Sequence, residues 1–94
     1  MADVVHELLV TEAAVEKLGA RDISDEEAKQ LLRNANIVVR NRGAGGDAER
    51  RLLIGRTDGG RVLTLVVEET MEPTSWVIVT GWTAAIAERK MLGG

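Results

Sequence analysis

The stretch Val62-Leu-Thr-Leu-Val-Val67 decides the fold, because it is apolar on both faces of an extended strand. Such a strand is typical of the centre of a sheet that is covered on both sides. Before it, Asp58-Gly59-Gly60 predicts a tight hairpin, because primed turns need residues with positive φ. After it, Met71-Glu-Pro-Thr-Ser75 predicts a turn and holds the only proline. We therefore expect antiparallel neighbours on both sides.

Further strands follow from β-branched and apolar runs bounded by glycine or proline. The turn Gly43-Ala-Gly-Gly46-Asp47 separates two of them. The predicted strands are residues 4–10, 37–40, 51–54, 62–67 and 76–80.

Two helices are predicted between the first strand and the second. Thr11 has the character of an N-cap, and a stripe at Ala14, Val15 and Leu18 predicts a helix that ends near Gly19. Ser24-Asp-Glu-Glu27 is a capping-box pattern. The apolar stripe of the second helix is Ala28, Leu31, Leu32 and Ala35.

A third helix is predicted from Ala84 to Leu92, with Gly93 just past its end. The predicted fold is α+β, with the order β-α-α-β-β-β-β-α, an antiparallel four-stranded meander and helices packed on one face. Residues 1–94 make one domain, because 94 residues are too few for two cores. The uncovered apolar face predicts a homodimer or a partner chain.

Composition excludes several classes of function. There is no cysteine and one histidine, which excludes a disulfide framework, a thiolate metal site and a multi-histidine metal centre, so we expect no metal and no cofactor. The chain has two tryptophans and neither tyrosine nor phenylalanine, which disfavours a protein that binds single-stranded nucleic acid by stacking bases on aromatic side chains. No apolar run is longer than four residues and the N-terminus is acidic, so we expect no membrane segment, no signal peptide and a cytoplasmic protein.

Charge is unevenly distributed within the net charge of −3. Residues 37–61 carry six arginines against three acids, whereas both flanking regions are acidic. One interpretation is a phosphate-binding patch in which Arg40, Arg42 and Arg61 contact RNA. The alternative is a set of solvated strand ends that pair with acidic helices.

Candidate catalytic and interface residues are few. His6 is the only imidazole and is a candidate general base, against the alternative of a structural histidine. Glu68 and Glu69 diverge as strand neighbours, so either could act only as a lone base. Alternation places Trp76, Ile78 and Trp82 on one strand face, which predicts a core or a partner interface.

Two segments resemble known families. Thr11-Glu-Ala-Ala-Val-Glu-Lys17-Leu-Gly-Ala-Arg21-Asp-Ile23-Ser24-Asp-Glu-Glu27 resembles the opening of a bacterial family of small domains of unknown function. Glu49-Arg-Arg-Leu-Leu-Ile-Gly55-Arg56-Thr-Asp-Gly-Gly60-Arg61-Val-Leu resembles BrnT-type toxins, as does Val77-Ile-Val-Thr-Gly-Trp-Thr-Ala84 with Glu88-Arg89. The resemblance implies a RelE-like or barnase-like ribonuclease fold.

The chain departs from these families at four places. Ala13 replaces a histidine, Asp22 replaces a glycine, and Lys17 stands where arginine is usual. The last strand reads Thr80-Gly81-Trp82 where the toxins have serine-alanine-arginine. The departures remove a histidine and two arginines from the family pattern, which weakens the expectation of catalysis.

Two main functions follow as hypotheses. The favoured one is a non-catalytic module that binds a second copy or a cognate antitoxin. The alternative is a metal-independent endoribonuclease toxin in which Arg56 and Arg89 hold phosphate and Glu68 or His6 is the base. Gly93-Gly94 also allows a third hypothesis, in which the protein is a sulfur carrier with a diglycine tail.

Overall fold

The chain forms an α+β fold in which two helices precede most of a sheet and one follows it. The structure is a computed structural model and describes residues 5–40 and 50–93. Within these residues the elements are β1 (Glu7–Leu9), α1 (Glu12–Gly19), α2 (Asp25–Gln30), β2 (Asn36–Arg40), β3 (Arg50–Arg56), β4 (Val62–Glu69), β5 (Ser75–Thr83) and α3 (Ile86–Leu92), with a 3₁₀ turn at Leu31–Arg33. The predicted α+β class is confirmed.

The sheet has five strands in the order β1-β5-β4-β3-β2. β4 lies at its centre, as its two apolar faces predicted. The predicted antiparallel four-stranded meander is present as β2 to β5. The sheet as a whole is not antiparallel, because β1 joins it as a fifth strand parallel to β5, with Leu8 opposite Trp76. Parallel neighbours need a long connection, and here the whole chain between β1 and β5 supplies it.

The first face of the sheet is covered by α1, α2 and the 3₁₀ turn. Two glycines on this face allow the helices to approach closely. A Cβ on Gly81 would lie 2.6 Å from Leu65 and 3.0 Å from Leu18, and one on Gly55 would lie 2.9 Å from Leu31. The core on this face consists of Leu8, Ala14, Leu18, Ile23, Ala28, Leu31, Leu53, Leu63, Leu65, Val67, Trp76 and Ile78.

The second face is partly covered by α3, so the prediction that all helices pack on one face is wrong. A smaller core lies between α3 and the sheet, with Ile54, Val62 and Ala84 buried at its centre. Ile37, Val39, Leu52 and Leu92 pack around it. α3 contacts β3 and β2, and thus supplies from within the chain part of the cover that we expected from a partner.

A β-bulge in β5 separates the two tryptophans. Val66 pairs with Thr80 but Val67 pairs with Ile78, so Val79 is the extra residue. A bulge reverses the alternation of side chains beyond it. Trp76 and Ile78 therefore face the first core, and Trp82 faces the second side. The prediction that they share one face is wrong.

Local signals place both early helices. The Thr11 hydroxyl accepts from Ala14 N at 3.1 Å, and the predicted capping box of Ser24 and Glu27 is present. α1 closes in a Schellman motif, in which Ile23 N donates to Leu18 O. Asp22 has φ +60 there, which explains the glycine that the resembled family carries at this position.

α2 is shorter than its apolar stripe predicted. The side-chain amide of Asn34 donates to Gln30 O at 3.1 Å, and that of Asn36 donates to Leu31 O at 2.8 Å. These amides satisfy carbonyls at the helix end. Ala35 consequently lies outside the helix and is exposed.

The β3–β4 hairpin uses a different turn from the predicted primed one. Gly60 N donates to Thr57 O at 3.0 Å, and Thr57 N donates to Arg61 O at 2.8 Å. Gly60 has φ +89, whereas Gly59 does not have a positive φ. This is the pattern of a type I turn followed by a glycine bulge.

The substitution Gly81→Ala should destabilise the protein by about 1 to 3 kcal/mol, because the added methyl group meets buried Leu65 and Leu18 in a filled core. Gly19→Ala is the matched control, because a Cβ there meets nothing within 4 Å. Urea unfolding measures both free energies. Equal values for the two variants would contradict the close packing described for α1.

Candidate functional site

The structure does not bring the candidate ribonuclease residues together. Arg56 and Glu68 point to the second face, but Arg56 pairs with Val62 at one end of the sheet and Glu68 pairs with Arg50 at the other. These positions are six residue steps apart along the strands, which corresponds to about 20 Å. The carboxylate of Glu68 also accepts from Arg50 Nε at 3.2 Å.

His6 and Arg89 do not complete such a site. His6 is exposed just before β1, and its backbone N–H donates to Thr74 O at 2.9 Å. β1 lies three strands from β3, and His6 is at the end of the sheet opposite to Arg56. Arg89 is exposed in the last turn of α3, where a cation complements the helix dipole.

Arg61, a predicted RNA contact, is a structural clamp. Its guanidinium donates to the turn between α1 and α2 and to the end of β5. The acceptors are Asp22 O at 2.7 Å, Glu27 Oε2 at 3.4 Å, Arg21 O at 3.5 Å and Thr83 Oγ1 at 3.0 Å. These contacts engage both terminal nitrogens of the guanidinium within the chain, which weakens the expectation that Arg61 contacts RNA.

The other arginines of this region divide into paired and exposed residues. Arg50 pairs with Glu68 at 3.2 Å and Arg51 with Glu69 at 4.0 Å. Arg40 is exposed at the end of β2. Arg42 and the turn 43–47 lie outside the described residues. Among the five described arginines of this region, three therefore form ion pairs, as the alternative interpretation of solvated strand ends expected, although two of the partners are strand glutamates.

The predicted partner interface is also divided. Trp76 and Ile78 are only 2% and 1% exposed and belong to the first core. Trp82 is half-buried, and its Nε1 donates to Glu88 Oε1 at 3.0 Å. Glu88 Oε1 also accepts from Ala85 N at 2.8 Å at the start of α3. Trp82 thus contacts α3, whereas Trp76 lies inside the first core and is not exposed to a partner.

An apolar patch that we did not predict lies on the second face. Leu9 of β1 is opposite Val77 of β5. Leu9 is 42% exposed and Val77 is half-buried. The signal in the sequence was the neighbouring pair Leu8-Leu9, because consecutive strand residues face opposite sides and both of these are apolar.

A cavity of about 520 Å³ lies where α3 crosses the edge of the sheet. It is lined by Val39, Arg40, Leu52 and Met91. Three of these side chains are apolar and one is cationic. The cavity can therefore take an apolar group with an anion beside it.

A polar cluster fixes the β3–β4 hairpin to the end of α2. Asp58 accepts from Arg33 in a bidentate pair, with Arg33 Nε 3.0 Å from Oδ1. Asn34 Nδ2 donates to the same carboxylate at 3.0 Å, and Asp58 N donates to Gln30 Oε1 at 3.0 Å. The hydrogen bonds from Arg33 and Asn34 lower the pKa of Asp58 from 3.8 to about 2.

The described residues contain neither a metal-binding cluster nor a membrane-spanning helix. No group of three or more acidic or histidine side chains there could hold a metal ion. None of the helices in residues 5–40 and 50–93 is long and apolar enough to cross a membrane.

Comparison with known families identifies the domain type of most of the chain. The family model of a domain of unknown function, DUF4258, matches residues 10–82. The chain belongs to the DUF4258 family. Comparisons with curated proteins and with solved structures gave no match. Nothing in the DUF4258 match links the chain to BrnT-type or RelE-like toxins.

The DUF4258 match divides the structure into a family core and flanking elements. It begins just after β1 and ends at Trp82, so it covers α1, α2 and the strands β2 to β4, with most of β5. Leu9 and α3 lie outside it. Leu9 and the Met91 side of the cavity are therefore contributed by segments that flank the matched core, whereas Val77 lies within it.

The substitution Arg61→Lys should lower the free energy of unfolding by about 1 to 2 kcal/mol, because an ammonium group cannot reach all four acceptors of the guanidinium. Arg89→Lys, on the exposed side of α3, is the matched control and should change stability by less than about 0.5 kcal/mol. Thermal unfolding at neutral pH compares them. Equal small decreases in stability for the two variants would contradict the structural role of Arg61.

Stability should depend on Asp58 at low pH. Its folded pKa lies below the unfolded one, so its contribution is complete above about pH 4 and is lost as the pH falls through about 2. Asp58→Asn should therefore be less stable than the wild type at pH 5, and the two should converge towards pH 2. Urea unfolding at four pH values measures this. A difference in the free energy of unfolding between the two proteins that does not change with pH would contradict this role of Asp58.

Proposed function

We propose that this DUF4258 protein is a non-catalytic binding module with a RelE/barnase-like arrangement, which associates with a second copy through the Leu9–Val77 patch. The observation that carries the proposal is an aliphatic side chain, Leu9, left 42% exposed on a sheet face where α3 packs mainly over β3 and β2. Burial of apolar surface is the main driving force of association. An edge patch that meets its own copy forms a two-fold interface.

The position of the patch supports this proposal. Leu9 and Val77 lie on β1 and β5, which are the two strands farthest from β2. Thr80 continues the same face on β5 and is half-buried. Apolar and small polar side chains without charge are typical of the centre of an interface. A cognate antitoxin would meet the same surface if the chain worked as part of a toxin-antitoxin pair.

The endoribonuclease alternative has weaker support. A cation and a base must act on the same phosphodiester, whereas Arg56 and Glu68 are about 20 Å apart along the strands. What favours the alternative is that the exposed guanidinium of Arg89 has no ion-pair partner among the described residues.

The sulfur-carrier alternative requires a free extended tail. Gly93 instead caps α3 with φ +91, and its N–H donates to Lys90 O at 3.0 Å. The same glycine therefore has a structural role in ending the helix. Gly94 lies outside the described residues.

The substitution Leu9→Asp should convert dimer to monomer, because it places a charge at the centre of the patch. Val15→Asp is the matched control: Val15 is 45% exposed, like Leu9, but lies on α1 at the other side of the sheet. Sedimentation velocity across a concentration series gives the masses. A wild type that stays monomeric at all concentrations would refute self-association.

The same preparations test the ribonuclease alternative. We expect no cleavage of total RNA by the wild type. Cleavage that Arg56→Ala abolishes, with the dimer unaffected, would overturn the non-catalytic function and establish the alternative.

A further inference from the structure

β2 is an edge strand of the described sheet, and its free side can be identified. Arg56 N donates to Ala35 O at 3.3 Å, which makes Ala35 and Arg56 a hydrogen-bonded pair. Such pairs alternate along an antiparallel ladder. Ile37 and Val39 therefore bond inward to β3, and the backbone N–H and C=O groups of Val38 and Arg40 point outward.

The cavity of about 520 Å³ opens beside this free side. Val39 and Leu52 are cross-strand partners that form its floor, and Met91 of α3 forms its wall. Met91 is 57% exposed, so the wall is open rather than packed. A side chain projecting from a strand added to β2 would point into this space.

Arg40 adds an electrostatic requirement at the same place. It is exposed at the end of β2, and its guanidinium has no partner among the described residues. Arg40 directly follows Val39 in β2. In an added strand, the residue opposite Arg40 would therefore be the sequence neighbour of the residue that faces the cavity. An acidic residue in the added strand would meet it there.

We propose that β2 binds an extended segment of a partner protein as an added antiparallel strand. The segment carries an apolar residue that enters the cavity and an adjacent acidic residue that pairs with Arg40. Outward backbone groups supply affinity and the cavity supplies selectivity, as in strand addition at other sheet edges.

A second copy of this chain does not fit the β2 edge. The strand Asn36-Ile-Val-Val-Arg40 contains no acidic residue, so self-pairing would leave Arg40 without a carboxylate. Pairing of two β2 strands is therefore excluded, and the proposal takes a different chain as the partner. This inference rests on the proposed binding function but uses a surface separate from the Leu9–Val77 patch.

The test uses the full chain and a phage-displayed library of random dodecapeptides. We expect selection of peptides in which an apolar residue adjoins an acidic one. The best selected peptide is then synthesised, and its binding is measured by fluorescence anisotropy. In amide hydrogen exchange it should slow Val38 and Arg40, which point outward, with little change at Ile37 and Val39, which bond to β3.

Two variants and one control make the test specific. Val38→Pro removes an outward N–H without removing a bond to β3, and Arg40→Glu reverses the charge; each should weaken the peptide about tenfold or more. A peptide with lysine in place of the acid should recover affinity for Arg40→Glu. Lys29→Glu, exposed on α2, should leave affinity unchanged.

Several outcomes would overturn the proposal. The first is that no selected peptide binds saturably. The second is that neither variant changes the affinity for the selected peptide. The third is that, without peptide, amide exchange at Val38 and Arg40 slows as the concentration of the protein rises. Leu9→Asp should bind the peptide normally and Val38→Pro should keep the dimer, so failure of this inference is distinguishable from failure of the proposed function.

Discussion

The burial of β4 on both faces is the constraint on which the rest of the structure depends. Leu63, Leu65 and Val67 need a cover on one face, and Val62 and Val66 need one on the other. α1 and α2 provide the first cover by closing on strand glycines. α3 provides the second, but it is only seven residues long and crosses β3 and β2. The part of the second face near β1 remains for other contacts.

The features that were predicted correctly from the sequence each depend on residues only a few positions apart in the chain. The Ser24 capping box, the Thr11 cap and the central β4 strand are local patterns, and local patterns act in the unfolded chain as they do in the folded one. The bulge in β5 is different, because it arises from how β5 pairs with β4. Simple alternation therefore put Trp76 and Trp82 on one face.

Long-range contacts explain the other failures at the candidate site. Arg61 reaches Asp22 across 39 positions in the chain and Glu27 across 34. Its charge suggested a phosphate contact, but only the fold brings the turn between the early helices under the hairpin. Similarly, the sequence of residues 84–92 predicts a helix but does not indicate which face of the sheet this helix covers. The parallel pairing of β1 also depends on this global arrangement.

The distribution of unpaired charge favours recognition of protein over nucleic acid. Binding to a nucleic-acid backbone needs several cations directed at successive phosphates. Among the described residues of the arginine-rich region, Arg50, Arg51 and Arg61 are neutralised by glutamates of the same chain. Arg40 and Arg56 have no ion-pair partner among these residues, but they lie at opposite ends of the β2–β3 pair. Arg40 is exposed, beside an apolar cavity and an open strand edge. A lone cation in that setting matches a single carboxylate on an extended peptide, not a line of phosphates.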